Sequence, residues 1–147
     1  MFGSMVLRSD DLKHKMAANM TTKELSARTD IPDHHAIGMV VDDDALVRES
    51  VAEVLEDLCD QVYQAADGQE GLEMLEQHPD ISVIVTDIAM PRLDGIAFAS
   101  KARRLHPELK VLFVSGMQRP PASEEFLAKP FRALALVSAL NHLMSVH

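Results

Sequence analysis

Two hydrophobic runs in this chain each end in acid. Ala36-Ile-Gly-Met-Val-Val41 leads into Asp42-Asp43-Asp44, and Ile81-Ser-Val-Ile-Val-Thr86 leads into Asp87. Both have the length and β-branched content of a buried strand. After the first run, Leu46, Val47, Val51, Val54, Leu55 and Leu58 recur at helical spacing over 45–59, with Asp44 placed to cap that helix. Gln61–Ala65 predicts a short second strand. Asp67-Gly68 opens a second helix that ends near Gln77, before Pro79. Beyond the third strand, Pro91 and Asp94-Gly95 mark a loop, and Ile96–Leu105 predicts a third helix stopped by His106-Pro107. Lys110–Val114 and Phe126–Ala128 predict a fourth and a fifth strand. The last helix runs from Phe131 to about Ser145, with a stripe of Ala133, Leu136, Val137, Leu140, Leu143 and Met144. Strands alternating with helices predict an α/β fold: a parallel sheet covered on both faces, with right-handed crossovers.

Residues 1–35 carry scattered charges and no strand pattern, and read as a mobile N-terminal arm, either an added segment or a linker, with a short helix near Asp10–Met20. Met5, Met16 or Met20 are alternative natural starts. Residues 36–147 form the folded domain, and the length suits one such unit. The formal net charge of −9 argues against a nucleic-acid-binding surface, and the lack of Trp with a single Tyr63 removes stacking platforms for single strands. No run approaches a membrane span, and charges at Arg8, Asp10, Asp11, Lys13 and Lys15 break any secretory leader. A lone Cys59, read as a packed helix residue, makes no intrachain disulfide and suits a reducing cytoplasm.

Composition leaves the chemistry open; position narrows it. In an open parallel sheet the carboxyl ends of neighbouring strands line the ligand crevice. Asp42, Asp43 and Asp87 therefore converge there, and packed carboxylates repel unless a cation sits among them. An all-oxygen set that keeps water and a phosphate suits Mg²⁺. Ser115, after the fourth strand, and Lys129, after the fifth, share that edge. An aspartate nucleophile forming an acyl phosphate needs little more than a metal, a lysine and a hydroxyl that stabilise the phosphoryl oxygens. Individually, each acid is as readily a turn former or cap, and that is the reading for Asp44. His34-His35 lacks neighbouring ligand residues in sequence and reads as a solvated pair. Met90, Pro91 and Leu93 read as loop and packing residues.

Four stretches in order, each after a strand, resemble the response-regulator receiver domain: Val40-Val-Asp-Asp-Asp-Ala-Leu-Val-Arg48, Val85-Thr-Asp-Ile-Ala-Met-Pro-Arg-Leu-Asp-Gly95, Val111-Leu-Phe-Val-Ser-Gly116 and Leu127-Ala-Lys-Pro-Phe131. The resemblance covers roughly residues 36–146. It implies a flavodoxin-like, doubly wound five-stranded sheet in the order 2-1-3-4-5. It also implies that Asp87 is the phosphoacceptor, that Asp42 and Asp43 hold Mg²⁺ with Asp87 and the backbone carbonyl of Ala89, and that Lys129 pairs with the phosphate. Ser115 stands at the switch hydroxyl and Phe126 at the rotating aromatic, and the family turn implies a cis Lys129-Pro130 bond. The implied protein is a cytoplasmic signalling domain rather than an enzyme, assisting its own phosphorylation and dephosphorylation. Its partners would be a histidine kinase or histidine phosphotransfer protein and a downstream protein target.

One departure stands out. Thirteen residues separate Ser115 from Lys129, and with a fifth strand among them about nine remain, including Pro120-Pro121. The family's fourth helix is predicted absent or reduced to one turn, leaving a loop over 116–123 with few contacts, which activation would order. Two contexts fit: a free-standing regulator whose chain ends after the last helix with no output domain, or the C-terminal receiver of a hybrid histidine kinase, which the Val-Ser-Gly and Ala-Lys-Pro-Phe stretches resemble. A rival enzyme reading takes Asp42 as nucleophile and Asp44 as general acid of a haloacid-dehalogenase-type phosphatase. It needs a later acidic motif, and no Asp or Glu follows Glu125.

Overall fold

The computed structural model describes residues 35–145. The expected arm, with its helix near Asp10–Met20, lies outside them except for residue 35. Among the described residues, strands and helices alternate as far as β4, which β5 follows directly: β1 (Ile37–Val41), α1 (Ala45–Glu56), β2 (Gln61–Ala65), α2 (Gly68–Gln77), β3 (Val83–Asp87), α3 (Gly95–Leu105), β4 (Lys110–Ser115), β5 (Glu125–Ala128) and α4 (Ala133–Ser145). The strands form one parallel sheet in the order β2-β1-β3-β4-β5. This is the doubly wound, flavodoxin-like architecture and strand order that the family resemblance implies, and the parallel sheet that the element pattern predicts.

Pleating sends successive side chains to opposite faces, so the sheet builds two half-cores. Met39, Val41, Ile84, Val111 and Phe113 pack with Leu75 of α2 and Phe98 and Ala102 of α3. Val40, Val83, Val85, Leu112 and Val114 pack with Leu55 of α1 and Leu136 and Leu140 of α4. β1, β3 and β4 are buried almost throughout, as near-continuous hydrophobic strands of a parallel sheet must be. The edges, β2 and β5, are only half covered.

Aspartates start three helices. Asp44 accepts from the amides of Leu46 and Val47, Asp67 from Glu70, and Asp94 from Ala97. Asp44 and Asp67 sit two or three residues beyond a strand and Asp94 follows the loop after β3, so turns that start helices also deliver acids to the sheet's carboxyl edge. Two stripe positions differ from expectation. Leu46 is 78% exposed, because the first turn of α1 lies at the sheet's end before the helix has crossed onto it. Ala133 is exposed at the start of α4, and the buried stripe begins at Leu136. Cys59 lies past the end of α1, in the turn before β2, but is buried as expected.

Residues 116–124 contain no helix and only a turn, in which Glu124 N–H donates to the Pro121 carbonyl at 3.0 Å. A parallel crossover ordinarily takes a dozen or more residues and a helix. Here a nine-residue strap does it. The strap is better fastened than its composition suggests. Ser115 Oγ accepts from the amides of Met117 (3.3 Å) and Gln118 (3.0 Å). Arg103 of α3 holds Glu124 through two 2.8 Å hydrogen bonds, and the Arg119 guanidinium lies 5.2 Å from the centre of the Phe126 ring. A bidentate arginine–carboxylate pair and a cation–π contact replace the apolar anchors of a helix.

Candidate functional site

Sheet register decides which chain ends meet. Val41 pairs with Thr86, so the next residues, Asp42 and Asp87, stand side by side. Asp87 pairs with Val114, placing Ser115 one step beyond it, and Ser115 pairs with Ala128, placing Lys129 one step further. Backbone bonds carry the ladder past the strands: Asp42 N–H to Ala65 O (3.1 Å), Ile88 N–H to Val114 O (3.1 Å) and Lys129 N–H to Ser115 O (2.8 Å). The Lys129-Pro130 bond is cis.

Carboxylate oxygens of Asp42, Asp43 and Asp87 all lie within 4.8 Å of one another. Asp42 and Asp87 are 2% and 7% exposed, whereas Asp43 faces solvent, so the cluster is a pocket open on one side. Lys129 Nζ donates to Asp42 Oδ2 at 3.0 Å and lies 3.5 Å from Asp87 Oδ2. The Asp44 amide takes the other oxygen of Asp42 at 2.9 Å. Burial, then the Asp42 charge, pushes the Asp87 carboxyl above the usual carboxylate range, against Lys129 and the amides of Ala89 and Ile88. Burial alone would lower the Lys129 ammonium. The hydrogen bond to Asp42 and the charges of both acids outweigh it and hold the lysine above its ordinary value.

These residues fit a hard divalent cation. The donors are all oxygen, three formal negative charges converge, and one lysine leaves them under-compensated. Among the described residues this is the sole metal-competent cluster of acids, histidines and cysteines. Ala89, whose carbonyl the resemblance adds to the set, is exposed two positions past Asp87. His35 instead meets the Asp60 carboxylate at 3.3 Å; His34 lies outside the described residues. Asp44 is spent on capping α1, which deprives the phosphatase reading of its general acid. Phe126 is partly buried against the α2–α3 half-core.

Several supporting residues carried weaker signals in the sequence. Gly95 reads as the second half of a turn, but a Cβ there would stand 2.0 Å from the Asp87 carbonyl oxygen, so the end of β3 and α3 can meet only at glycine. Arg92 adopts φ 68° and bridges to the α2 cap, Asp67, at 3.0 Å. Together with the Asp94 cap it shapes the loop after Asp87. Arg48, inside the first quoted stretch, donates to the carbonyl of Asp42 at 2.8 Å.

The family model for the response regulator receiver domain matches residues 39–141. The chain is 30% identical over 131 residues to the sensor kinase CckA of Brucella abortus, covering 83% of this chain but 14% of that protein. It is 29% identical over 114 residues to the response regulator receiver protein CpdR of the same organism, covering 72% of this chain and 94% of the relative. Among solved structures, the receiver domain of the hybrid histidine kinase CckA superimposes with a TM-score of 0.66 at 29% identity, over 74% of this chain and 99% of that one. The chemotaxis protein CheY4 of Vibrio cholerae gives 0.66 at 26% identity, over 74% and 98%.

Proposed function

The chain belongs to the response regulator receiver domain family, and from that premise we propose that Asp87 is its phosphoacceptor, served by Lys129 and Ser115 and by Mg²⁺ at Asp42, Asp43, Asp87 and the Ala89 carbonyl. It is a phosphoacceptor receiver of two-component signalling. The observation that carries the site assignment is the position of Asp87: a buried carboxylate, 3.5 Å from a lysine and beside a carboxylate pair.

In the transfer, an Asp87 oxygen bonds to phosphorus while the bond from phosphorus to the donor's imidazole nitrogen breaks. The electron pair stays on that nitrogen, which takes a proton from solvent. The bound cation would neutralise charge on the phosphoryl oxygens and keep Asp87 ionised. Lys129, already between Asp42 and Asp87, turns one donor to the new phosphoryl oxygen. Ser115 Oγ carries a proton free to donate while its lone pairs hold the Met117 and Gln118 amides. Rotation of this hydroxyl toward the phosphoryl group loosens those two bonds, so the strap, already fastened in the free protein, would loosen on activation where its composition predicts ordering.

The phosphodonor is a histidine kinase or a histidine phosphotransfer protein. Leu46 and Leu134 (each 78% exposed) and Met117 (96%) follow within five residues of Asp44, Lys129 and Ser115. Exposed apolar side chains so close in sequence to residues of the sheet's carboxyl edge would suit docking of a helix that presents a histidine.

Intact mass after treatment with acetyl phosphate tests the reading. The gain of one phosphoryl group requires Mg²⁺ and disappears in Asp87→Asn; an undiminished gain in that variant refutes the assignment.

A further inference from the structure

Every polar atom of Asp42 is engaged, and one partner has no place in the chemistry above. The amide goes to β2, one carboxylate oxygen to Asp44 and the other to Lys129. The carbonyl accepts from Arg48 Nη1 at 2.8 Å. Arg48 sits one turn into α1, and its Nε donates to Gln64 Oε1 on β2 at 3.2 Å. The guanidinium is thus tied to a helix by its own backbone, to a strand by Gln64, and to the acidic turn between them.

The Asp42 carbonyl and the Asp43 amide share one rigid peptide plane. A donor that fixes this carbonyl fixes the rotation of the plane, and with it the direction in which the Asp43 side chain leaves the backbone. Asp43 is the exposed member of the acid cluster. We propose that Arg48 is a positioning residue: it sets the Asp42–Asp43 peptide and so aims the Asp43 carboxylate at the cation site. The inference rests on reading Asp42, Asp43 and Asp87 as that site.

A pure charge effect has the opposite sign. Arg48 adds a positive charge beside three carboxylates, which by itself disfavours a cation, so its removal would tighten binding. Positioning requires that removal weaken it. Groups that orient metal ligands from behind typically change affinity by about 10–100-fold when lost.

The test is a Mg²⁺ titration followed by amide NMR shifts in wild type, Arg48→Ala, Arg48→Lys and Gln64→Ala. Arg48→Ala should raise half-saturation roughly tenfold, and Arg48→Lys, which keeps one donor, should recover part of it. Gln64→Ala, on an exposed residue, should weaken binding by less. Phosphorylation by acetyl phosphate should show the same displacement along the Mg²⁺ axis but reach nearly the wild-type rate at saturation, because Asp87, Lys129 and Ser115 are untouched. Unchanged or tighter binding in Arg48→Ala with a native-like spectrum overturns the proposal, as does a lost plateau rate at saturating Mg²⁺. Should Arg48→Ala fail to fold, unchanged affinity in Gln64→Ala overturns it. A wild type whose shifts avoid 42–44 and 87–90 defeats the site reading itself, whereas a responsive wild type matched by Arg48→Ala removes only the role of Arg48.

Discussion

Asp87 is held in a state that costs the free protein stability. Its carboxyl titrates above the ordinary range, so between its unfolded and native values the folded chain keeps a proton that the unfolded chain has lost. Stability therefore falls as pH rises through that window, and the deficit persists at neutral pH. In Mg²⁺-free buffer, Asp87→Asn should melt a few degrees above wild type near neutrality, and the gap should close as pH drops toward the unfolded carboxylate value; thermal scans across pH measure it. Lys129 gives the same sign in a higher window, as a gain lost instead of a penalty acquired: its raised native value supplies stability below the ordinary lysine range that is lost as pH climbs through the raised one. At the cation site, Asp43→Ala should abolish the Mg²⁺-induced NMR shifts. Asp42→Ala should only weaken them, because both Asp42 oxygens are already engaged, one by the Asp44 amide and the other by Lys129, whereas Asp43 is the exposed member of the cluster.

At the scale of elements, turns did more than strands or helices to build the site, and they were the least legible part of the sequence. The five strands, four helices and a parallel sheet follow from hydrophobic period and alternation, the strand order from the family resemblance, and Asp42, Asp87, Ser115 and Lys129 could be placed because each follows a strand. Arg48, Arg92 and Gly95 could not be assigned roles, since an arginine in a helix or a glycine in a turn has many uses and the partner atoms lie in distant segments. The strap is a second case. Pro120-Pro121 forbade a helix, but the Arg103–Glu124 contact depends on where α3 lies and the Arg119–Phe126 contact on the path of the strap over β5, neither of which residue spacing encodes. Gly95 yields a sharp expectation. Gly95→Ala sets a Cβ against the Asp87 carbonyl, a backbone atom that cannot step aside. It should cost about 1–3 kcal/mol in denaturant melts and should slow phosphorylation, where Gly116→Ala, with no neighbour closer than 3.9 Å, should disturb stability much less.

For the molecule as a whole, two half-cores share one sheet, and most of the site hangs on its central strands. Phe98→Ala in one half and Leu140→Ala in the other, both fully buried, should each cost about 2–5 kcal/mol. The sheet is not equally secured across its width, however. β5 has four residues, none fully buried, one neighbour strand and a strap in place of a helix. In hydrogen-exchange terms it is the margin where the sheet should unzip first, through a partial opening well below the energy of global unfolding, while β3 and β4 exchange only when the whole domain unfolds. The residue directly after β5 is Lys129, whose amide is tied to Ser115 and whose ammonium is the cleft's cation. Each unzipping therefore withdraws the positive charge from between Asp42 and Asp87. The pocket's electrostatics then become a fluctuating quantity whose average is set by how often a four-residue strand lets go.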